Sequence, residues 1–338
     1  MISLSETKKI LKDNDPKSLE CLAQKAKRLT EQYFGHAISL YAPLYLSNYC
    51  SSHCIYCGFN NHNRIKRFKL NLDEMRQEMS YIKNKGIENV LLLTGESYKA
   101  TPLSYLKDAV TTAKDFFTSI SLEVHPMDEK DYHELFLNGA DGLTIYQETY
   151  DRKRYKQVHV SGKKADYDYR RETPKRAAKA GFRHISLGIL LGLSVVADDL
   201  WALYKHLAEM EKSFPAVEYS LSFPRLRPIK GENFALCDVD DKTFIKIIAL
   251  TRTLFPRVGI NLSTREPAYL RDHALGLGIT RISAESNTSV GGYTLQSPDV
   301  QEPQFDIKDN RSVKEIIRAL KHRGFDPVLT DWRRIDNR

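Results

Sequence analysis

The chain repeats one pattern of hydrophobic and polar positions. A short, continuous apolar run is followed by a longer segment in which apolar residues recur every three or four positions. A continuous apolar run, such as Asn89-Val90-Leu91-Leu92-Leu93, is typical of a parallel strand covered on both faces, and the longer period is typical of a helix with one buried side. Eight strands are predicted, at 38–46, 89–93, 120–124, 142–146, 184–190, 219–223, 259–262 and 281–284.

Helices are predicted between these strands from their capping residues and apolar stripes. Asn71 and Glu74 form the signature of a capping box at the start of one helix, which Gly86 ends. Eight strand-then-helix units in about 250 residues are the count of a closed (β/α)₈ barrel of the TIM type, and a (β/α)₆ partial barrel stays open as an alternative. Further helices are expected at 105–117, 130–137, 200–210 and 242–254.

Helices are also expected before and after the barrel. Asp15 and Pro16 indicate a first helix with Asp15 as its N-cap, and Ser312 with Glu315 indicates a last one. No internal repeat or linker divides the chain. The predicted parts are an N-terminal helical extension (1–36), the barrel (37–310), and a C-terminal helix and tail that close the barrel (311–338).

Composition and charge narrow the class of protein. Of 338 residues, 41% are hydrophobic, and no apolar run approaches the roughly 18 residues of a membrane span. The N-terminus has no signal-peptide stretch, so a cytoplasmic protein without membrane contact is expected. A count of 51 Lys and Arg against 43 Asp and Glu gives a net charge of +8. These basic residues are scattered without aromatic platforms, which favours an anionic substrate or an acidic electron donor over nucleic acid.

Cys50, Cys54 and Cys57 form a C-x₃-C-x₂-C triplet straight after the first predicted strand. Three thiolates on one short loop can bind three irons of a four-iron, four-sulfur cluster, and the remaining iron can then take a cosubstrate. The alternatives are a structural zinc site completed by His53 or His62, a disulfide that leaves one thiol over, or three ordinary buried cysteines. Two further cysteines, expected to be lone buried residues, are Cys21 and Cys237.

Polar side chains follow nearly every predicted strand. In a parallel barrel the active site forms at the carboxyl ends of the strands, so these side chains are candidates for one shared site. Each alone is also compatible with a helix cap or a structural ion pair. Together, carboxylates and arginines on one rim suit a zwitterionic cosubstrate and an amino-acid-like substrate, because arginine binds a carboxylate in bidentate fashion. The charged members are Glu96, Glu123, Glu148, Arg225, Arg227, Arg265 and Glu285.

The cysteine triplet, with the aromatic Tyr56 before its last member, resembles that of the radical S-adenosylmethionine (SAM) superfamily. A wider resemblance, over roughly residues 17–333, is to the ThiH family, the tyrosine lyases of bacterial thiamine biosynthesis. It rests on Thr94-Gly95-Glu96, Tyr146-Gln147-Glu148-Thr149-Tyr150, Pro224-Arg225-Leu226-Arg227-Pro228, Leu262-Ser263-Thr264-Arg265-Glu266 and the segments 41–48 and 63–67.

This resemblance implies a radical SAM barrel that cleaves the Cα–Cβ bond of L-tyrosine. The products are 2-iminoacetate and 4-methylphenol, while SAM becomes methionine and 5′-deoxyadenosine. The implied ligands of a [4Fe–4S] cluster are Cys50, Cys54 and Cys57. The residues implied near SAM are Tyr56, Thr94, Gly95, Glu96, Glu123 and Arg170. The residues implied around tyrosine are Arg265, Ser263 and Ser283 at its carboxylate, with Gln147, Glu148 and Tyr150 lining the site. Arg225 or Arg227 stays open as a replacement for Arg265.

The resemblance also implies protein partners. These are a flavodoxin or ferredoxin as electron donor, and thiazole synthase as the consumer of 2-iminoacetate. Two relatives stay open as alternatives. The hydrogenase maturase shares the motifs and cleaves tyrosine, but it carries an additional C-terminal region with a second cysteine-bound cluster, and no cysteine follows Cys237 here. The other is a tryptophan lyase, over which segments 147–150 and 224–228 favour the tyrosine branch.

Overall fold

The fold is a closed barrel of eight parallel strands, in a computed structural model that describes residues 2–226, 239–295 and 303–330. Neighbouring barrel strands follow chain order, and the last strand pairs with the first, where Leu40 lies opposite Ile282. Every pairing between barrel strands is parallel. The predicted (β/α)₈ barrel is therefore confirmed, and the six-stranded alternative does not apply.

The described elements are numbered in chain order. The strands are β1 (Ala37–Ser47), β2 (His53–Cys54), β3 (Asn89–Thr94), β4 (Ser119–Glu123), β5 (Gly142–Glu148), β6 (His159–Ser161), β7 (His184–Ile189), β8 (Glu218–Ser222), β9 (Gly259–Leu262), β10 (Arg281–Ser283) and β11 (Asp326–Val328). The helices are α1 (Leu4–Lys12), α2 (Pro16–Phe34), α3 (Leu72–Asn84), α4 (Leu103–Ala113), α5 (Glu129–Asn138), α6 (Arg152–Val158), α7 (Tyr167–Arg171), α8 (Thr173–Lys179), α9 (Val196–Ser213), α10 (Asp241–Leu254), α11 (Ala268–Ala274) and α12 (Val313–His322).

The barrel strands and their helices form where the apolar pattern predicts them. In β3, Val90 and Leu92 are fully buried, and in α3 Met75 and Met79 form the buried stripe. Asn71 and Glu74 make the predicted capping box, with both reciprocal hydrogen bonds present. Local capping chemistry and one-sided burial thus fix the helices, and the barrel core is the layer between them and the strands.

Two helices precede the barrel. Asp15 caps α2 as predicted, whereas α1 was not predicted. Cys21 is exposed on α2, so its expected burial is wrong. It lies five positions before the buried Ala26, which places it about 140° round the helix from the packed face. Cys237, the other lone cysteine, lies outside the described residues.

The C-terminal part begins with α12, which Ser312 and Glu315 cap as predicted. Strand β11 then pairs in parallel with the amino end of β1, where Asp326 lies opposite Ala37. This part of the chain therefore extends the sheet beside β1, at the end of the barrel opposite the strand carboxyl ends. Within the described part of the chain, no helix is long and apolar enough to cross a membrane.

Candidate active site

A cavity of about 160 Å³ lies at the carboxyl ends of the barrel strands. Its wall brings together the three cysteines and most of the predicted strand-end residues. Strand ends and the loops after them contribute Tyr45, Thr94, Gly95, Glu96, Glu123, Tyr146, Glu148, Ser222, Ser263, Arg265, Ser283 and Ser286. Loops contribute Cys50, Cys54, Tyr56, Cys57, Lys164, Arg170, Gln304 and Phe305.

The cysteine loop is held from two sides. Strand β2, which contains Cys54, pairs with the short antiparallel β6, a pairing that the sequence did not predict. On the other side, the Arg67 guanidinium donates hydrogen bonds to the carbonyl oxygens of Asn48, Phe59 and Asn60 at 2.6–2.8 Å. Most of this loop has no regular secondary structure, so these contacts are needed to keep the cysteines in place.

The three thiols differ in exposure, but all of them line the same cavity. Cys54 is buried, while Cys50 and Cys57 are half-buried. Burial raises the pKa of the Cys50 thiol to about 11 and also raises the pKa of Cys54. These thiols therefore stay protonated at neutral pH until a metal replaces the proton.

Among the described residues, no three His, Cys, Asp or Glu side chains surround a point that could hold a single metal ion. A four-iron cluster makes a different demand, because each thiolate bonds a different iron. His53 and His62, the proposed completing ligands of a zinc site, stack on each other with ring centroids 3.8 Å apart. The two imidazole rings are therefore packed face to face beside the cysteines.

The segment after β3 fits a polar ligand held beside the cysteine loop. Thr94 Oγ1, Glu96 Oε2 and Ser286 Oγ are buried without a hydrogen-bond partner among the described residues. All three residues line the cavity. A Cβ at Gly95 would lie 2.4 Å from the carbonyl oxygen of Tyr49, so only glycine permits this approach. Buried polar atoms without partners are costly, and a ligand with amino and carboxylate groups would satisfy them.

Two ion pairs connect charged residues that line the cavity near the cysteine loop. Arg170 Nη1 lies 2.6 Å from Glu96 Oε1, and Lys164 Nζ lies 2.8 Å from Glu148 Oε1. Arg170 also donates from Nε to the Tyr146 carbonyl oxygen at 2.7 Å. Glu148 has a φ of 69°, in the left-handed region, which costs about 1–3 kcal/mol for a residue other than glycine. The ion pairs hold Glu148 in this conformation at the end of β5.

Glu123 at the end of β4 behaves differently from these paired carboxylates. Burial, with a smaller contribution from Glu148, raises the pKa of Glu123 to about 7. The opposing charges of Lys164, Arg170 and Arg265 do not offset this rise. Glu123 is therefore a carboxyl group that can hold or release a proton near neutral pH.

The opposite side of the cavity is formed by the ends of β9 and β10. The Ser283 hydroxyl accepts a hydrogen bond from the backbone N–H of Thr264 at 3.1 Å, which ties the two strand ends together. The Arg265 guanidinium carbon lies 3.4 Å from the centroid of the Phe305 ring. Burial lowers the pKa of Arg265 from its ordinary value. Ser263, Arg265 and Ser283 thus share one polar wall, as the sequence predicted.

Two predicted lining residues lie elsewhere. Gln147 is buried and donates a hydrogen bond from Nε2 to the Tyr167 carbonyl oxygen, and the Tyr150 hydroxyl is bonded to His206 Nδ1 on α9. Neither lines the cavity. Strand β5 is irregular between Tyr146 and Glu148, and there Tyr146 and Glu148 line the cavity while the Gln147 side chain bonds the Tyr167 carbonyl oxygen outside it. The expectation that Gln147 and Tyr150 line the site is corrected in favour of Tyr146.

One alternative carboxylate partner of the substrate does not reach the cavity either. Arg225 is paired with Glu266 and Asp241, and it does not line the cavity. Arg227 lies outside the described residues. The lining residues that were missed include four polar or aromatic side chains that give no signal in the local pattern: Tyr45, Lys164, Gln304 and Phe305.

Comparison with known proteins agrees with this site. The Radical SAM superfamily model matches residues 44–207, and the model of the Biotin and Thiamin Synthesis associated domain matches residues 222–326. The chain is 41% identical over 315 residues, 93% of its length and 83% of the relative's, to 2-iminoacetate synthase of Salmonella typhimurium (strain LT2). The chain belongs to the 2-iminoacetate synthase family. The Escherichia coli (strain K12) member of this family is 40% identical over the same shares of both chains.

Solved structures extend the comparison to related folds. The [FeFe]-hydrogenase maturase HydG from Carboxydothermus hydrogenoformans superposes with a TM-score of 0.89 and 32% identity, covering 97% of this chain and 76% of HydG. Methylornithine synthase (PylB) superposes with a TM-score of 0.80 at 23% identity, covering 97% of this chain and 94% of PylB. The 2-iminoacetate synthase family thus shares its barrel fold with proteins of other names.

Proposed function

We propose that this chain is a 2-iminoacetate synthase, a radical SAM lyase that cleaves the Cα–Cβ bond of L-tyrosine to 2-iminoacetate and 4-methylphenol. The observation that carries the proposal is one cavity that joins the three-cysteine loop to an arginine-and-serine wall, in a chain 41% identical to a 2-iminoacetate synthase. The polar groups of this lining are suited to an amino acid at the arginine-and-serine wall and to SAM beside the cysteines. The product is the glycine-derived fragment used for the thiamine thiazole ring.

Cys50, Cys54 and Cys57 are proposed as ligands of a [4Fe–4S] cluster. When bound, such a cluster would supply the electron for the reductive cleavage of SAM, which is the source of the radical that the lyase reaction needs. The unpartnered oxygens of Thr94 and Glu96 support a position beside the SAM amino group.

Two further groups are proposed near SAM. Arg170 holds Glu96 in place through their 2.6 Å ion pair, so it acts on SAM by fixing this carboxylate. Glu123 is proposed to contact polar groups of SAM or to exchange a proton in the cavity, because its pKa lies near 7. Tyr56 lines the same side, and its hydroxyl is bonded to His159 Nε2 at 2.7 Å, which fixes its ring beside the cysteines.

Arg265, Ser263 and Ser283 are proposed to bind the tyrosine carboxylate. A guanidinium forms two parallel hydrogen bonds with a carboxylate, and the serine hydroxyls are further donors on the same wall. This binding would place the substrate amino group toward the cysteine side of the same cavity. Close placement matters because the radical must meet one N–H group and no other hydrogen.

Partners of the reaction are proposed on chemical grounds. A flavodoxin or ferredoxin is proposed as electron donor, since the net charge of +8 favours an acidic protein. Thiazole synthase is proposed to consume 2-iminoacetate, because the imine hydrolyses in water to glyoxylate and ammonia. Direct transfer would protect it.

The test is product analysis of the anaerobically reconstituted chain with SAM, a strong reductant and tyrosine. Expected products are 5′-deoxyadenosine, 4-methylphenol and glyoxylate, formed in step, without cyanide or carbon monoxide. The diatomic products require a second cysteine-bound cluster, and residues 238–338 contain no cysteine. Tryptophan should be a poor substrate, since a site that hydrogen-bonds a substrate hydroxyl rejects an analogue lacking it. Cyanide formation, or an indole product at a rate matching tyrosine, would overturn the proposal.

A further inference from the structure

One segment before α12, residues 303–309, lies over the cavity. The backbone N–H of Gln304 donates to the Thr288 carbonyl oxygen at 3.0 Å, and the Thr288 hydroxyl donates to the Phe305 carbonyl oxygen at 2.8 Å. The Gln304 side chain accepts from the Tyr45 hydroxyl and donates to Cys57 Sγ at 3.6 Å. Residues on both sides of the cavity thus fix the start of this loop.

The end of the loop is fixed to the strand that supplies Arg265. The backbone N–H groups of Lys308 and Asp309 both donate to the Thr264 carbonyl oxygen. Asp309 is fully buried and ion-paired with Arg271 and Arg311. A buried carboxylate with two guanidinium partners is a rigid anchor. Phe305 therefore lies on a short segment whose two ends are tied to the cavity wall.

We propose that Phe305 is a positioning residue for substrate binding, which holds the Arg265 guanidinium in the orientation that receives the tyrosine carboxylate. This inference rests on the function proposed above. Its direct basis is the stacking of the Phe305 ring over the guanidinium, at 3.4 Å from ring centroid to guanidinium carbon. The sequence pattern around Phe305 does not indicate that this residue lies at the active site.

The chemistry of the contact between Phe305 and Arg265 explains why an aromatic ring is suited to positioning the guanidinium. An aromatic face attracts a cation through its quadrupole, and it does so without occupying any N–H donor of the guanidinium. The donors lie in the guanidinium plane, where a carboxylate binds in bidentate fashion. A carboxylate from the chain at the same place would instead compete with the substrate. The Phe305 ring thus restricts the long arginine side chain from the face of its guanidinium.

The experiment compares Phe305→Leu with the wild-type protein, both reconstituted with iron and sulfide. The KM for tyrosine should rise about tenfold because the cation–π contact is lost. The kcat at saturating tyrosine, the dissociation constant for SAM and the iron content should stay within twofold. Phe305→Tyr keeps the ring face and should restore the wild-type KM. Lys308→Ala changes an exposed side chain of the same loop and should alter none of these values. If Phe305→Leu loses its cluster, Phe305→Met serves for the same comparison.

A double-mutant cycle separates positioning from a general packing role. Because Phe305 acts through Arg265, Phe305→Leu should add no further rise in KM to Arg265→Gln. Additive effects of the two changes, or a tyrosine KM for Phe305→Leu within twofold of wild type, would overturn the inference while leaving the proposed function intact. If Arg265→Gln alone leaves tyrosine binding unchanged, the carboxylate role assigned to Arg265 fails instead.

Discussion

The two sides of the cavity hold their charges in different ways. On the side formed by residues up to 207, Arg170 and Lys164 each meet a carboxylate of the chain, Glu96 or Glu148, within 2.8 Å. On the side formed by residues after 222, Arg265 lies against the ring of Phe305. The first side pairs its cations with carboxylates of the chain, and the second places its cation against an aromatic face.

This difference coincides with the two family matches. The Radical SAM superfamily model covers the first side, and the Biotin and Thiamin Synthesis associated domain covers the second. We propose that the first side meets the cosubstrate, which many enzymes share, and that the second side meets the substrate, which differs between enzymes.

The largest expected effect comes from the cysteine loop. Cys54→Ala should remove cluster binding and SAM cleavage together, because two remaining thiolates cannot hold the cluster in place. Iron and sulfide analysis, the brown colour, and 5′-deoxyadenosine formation measure this. Cys21→Ala is the matched control, since Cys21 is exposed on α2 and far from the loop in sequence. A Cys54→Ala protein that retains four irons and cleaves SAM would show that the first side has a different role.

The next effect distinguishes the two sides. Arg170→Gln leaves Glu96 as a buried charge without its closest partner, and breaking a buried pair costs about 3–5 kcal/mol. We expect the dissociation constant for SAM to rise at least tenfold and the free energy of unfolding to fall, with a smaller change in tyrosine KM at saturating SAM. Arg265→Gln should show the reverse pattern, a tyrosine KM at least tenfold higher with SAM binding retained.

Replacing both members of the buried pair provides the control for stability. The double variant Glu96→Gln with Arg170→Gln removes both charges, so it should recover much of the lost free energy of unfolding without recovering SAM affinity. If Arg170→Gln weakens tyrosine binding while SAM binds normally, the two sides have exchanged roles.

The sequence was sufficient for the barrel and for part of the site. Apolar runs and capping residues such as Asn71 are local signals, and the parallel barrel brings strand ends to one rim, so Glu96, Glu123 and Arg265 were predicted to lie together. The inward or outward direction of Gln147 was not predictable, because a shift of one residue along a strand exchanges its faces.

Residues that reach the cavity through long-range contacts were also missed. Phe305 arrives 40 positions after Arg265, on a loop fixed by Thr288, Thr264 and Asp309, and none of these contacts leaves a periodic pattern. Lys164 likewise depends on its ion pair with Glu148. A periodic pattern predicts the side chains that strands and helices place at the rim. The side chains that loops bring to the cavity depend on packing between separate loops, which leaves no such pattern.

The smallest expected effect concerns Glu123, which lies between the two sides and is charged or neutral according to pH. Its pKa is raised from about 4.5 to about 7, so between these values the unfolded chain releases the proton while the folded chain retains it. The free energy of unfolding should therefore fall as the pH rises from 4.5 to 7, by about 3 kcal/mol at most from this group.

Glu123→Gln should remove this share of the pH dependence. Urea unfolding of both metal-free proteins at pH 4.5, 6 and 7.5 gives the measurement. The buried carboxyls of Asp141 and Asp199, whose pKa values are raised to about 7 and about 6 by burial, are present in both proteins and cancel in the difference. The variant should gain stability relative to wild type as the pH rises, because it has no charge to bury. Parallel curves would mean that the pKa of Glu123 is the same in the folded and the unfolded chain, and hence that burial does not control its charge.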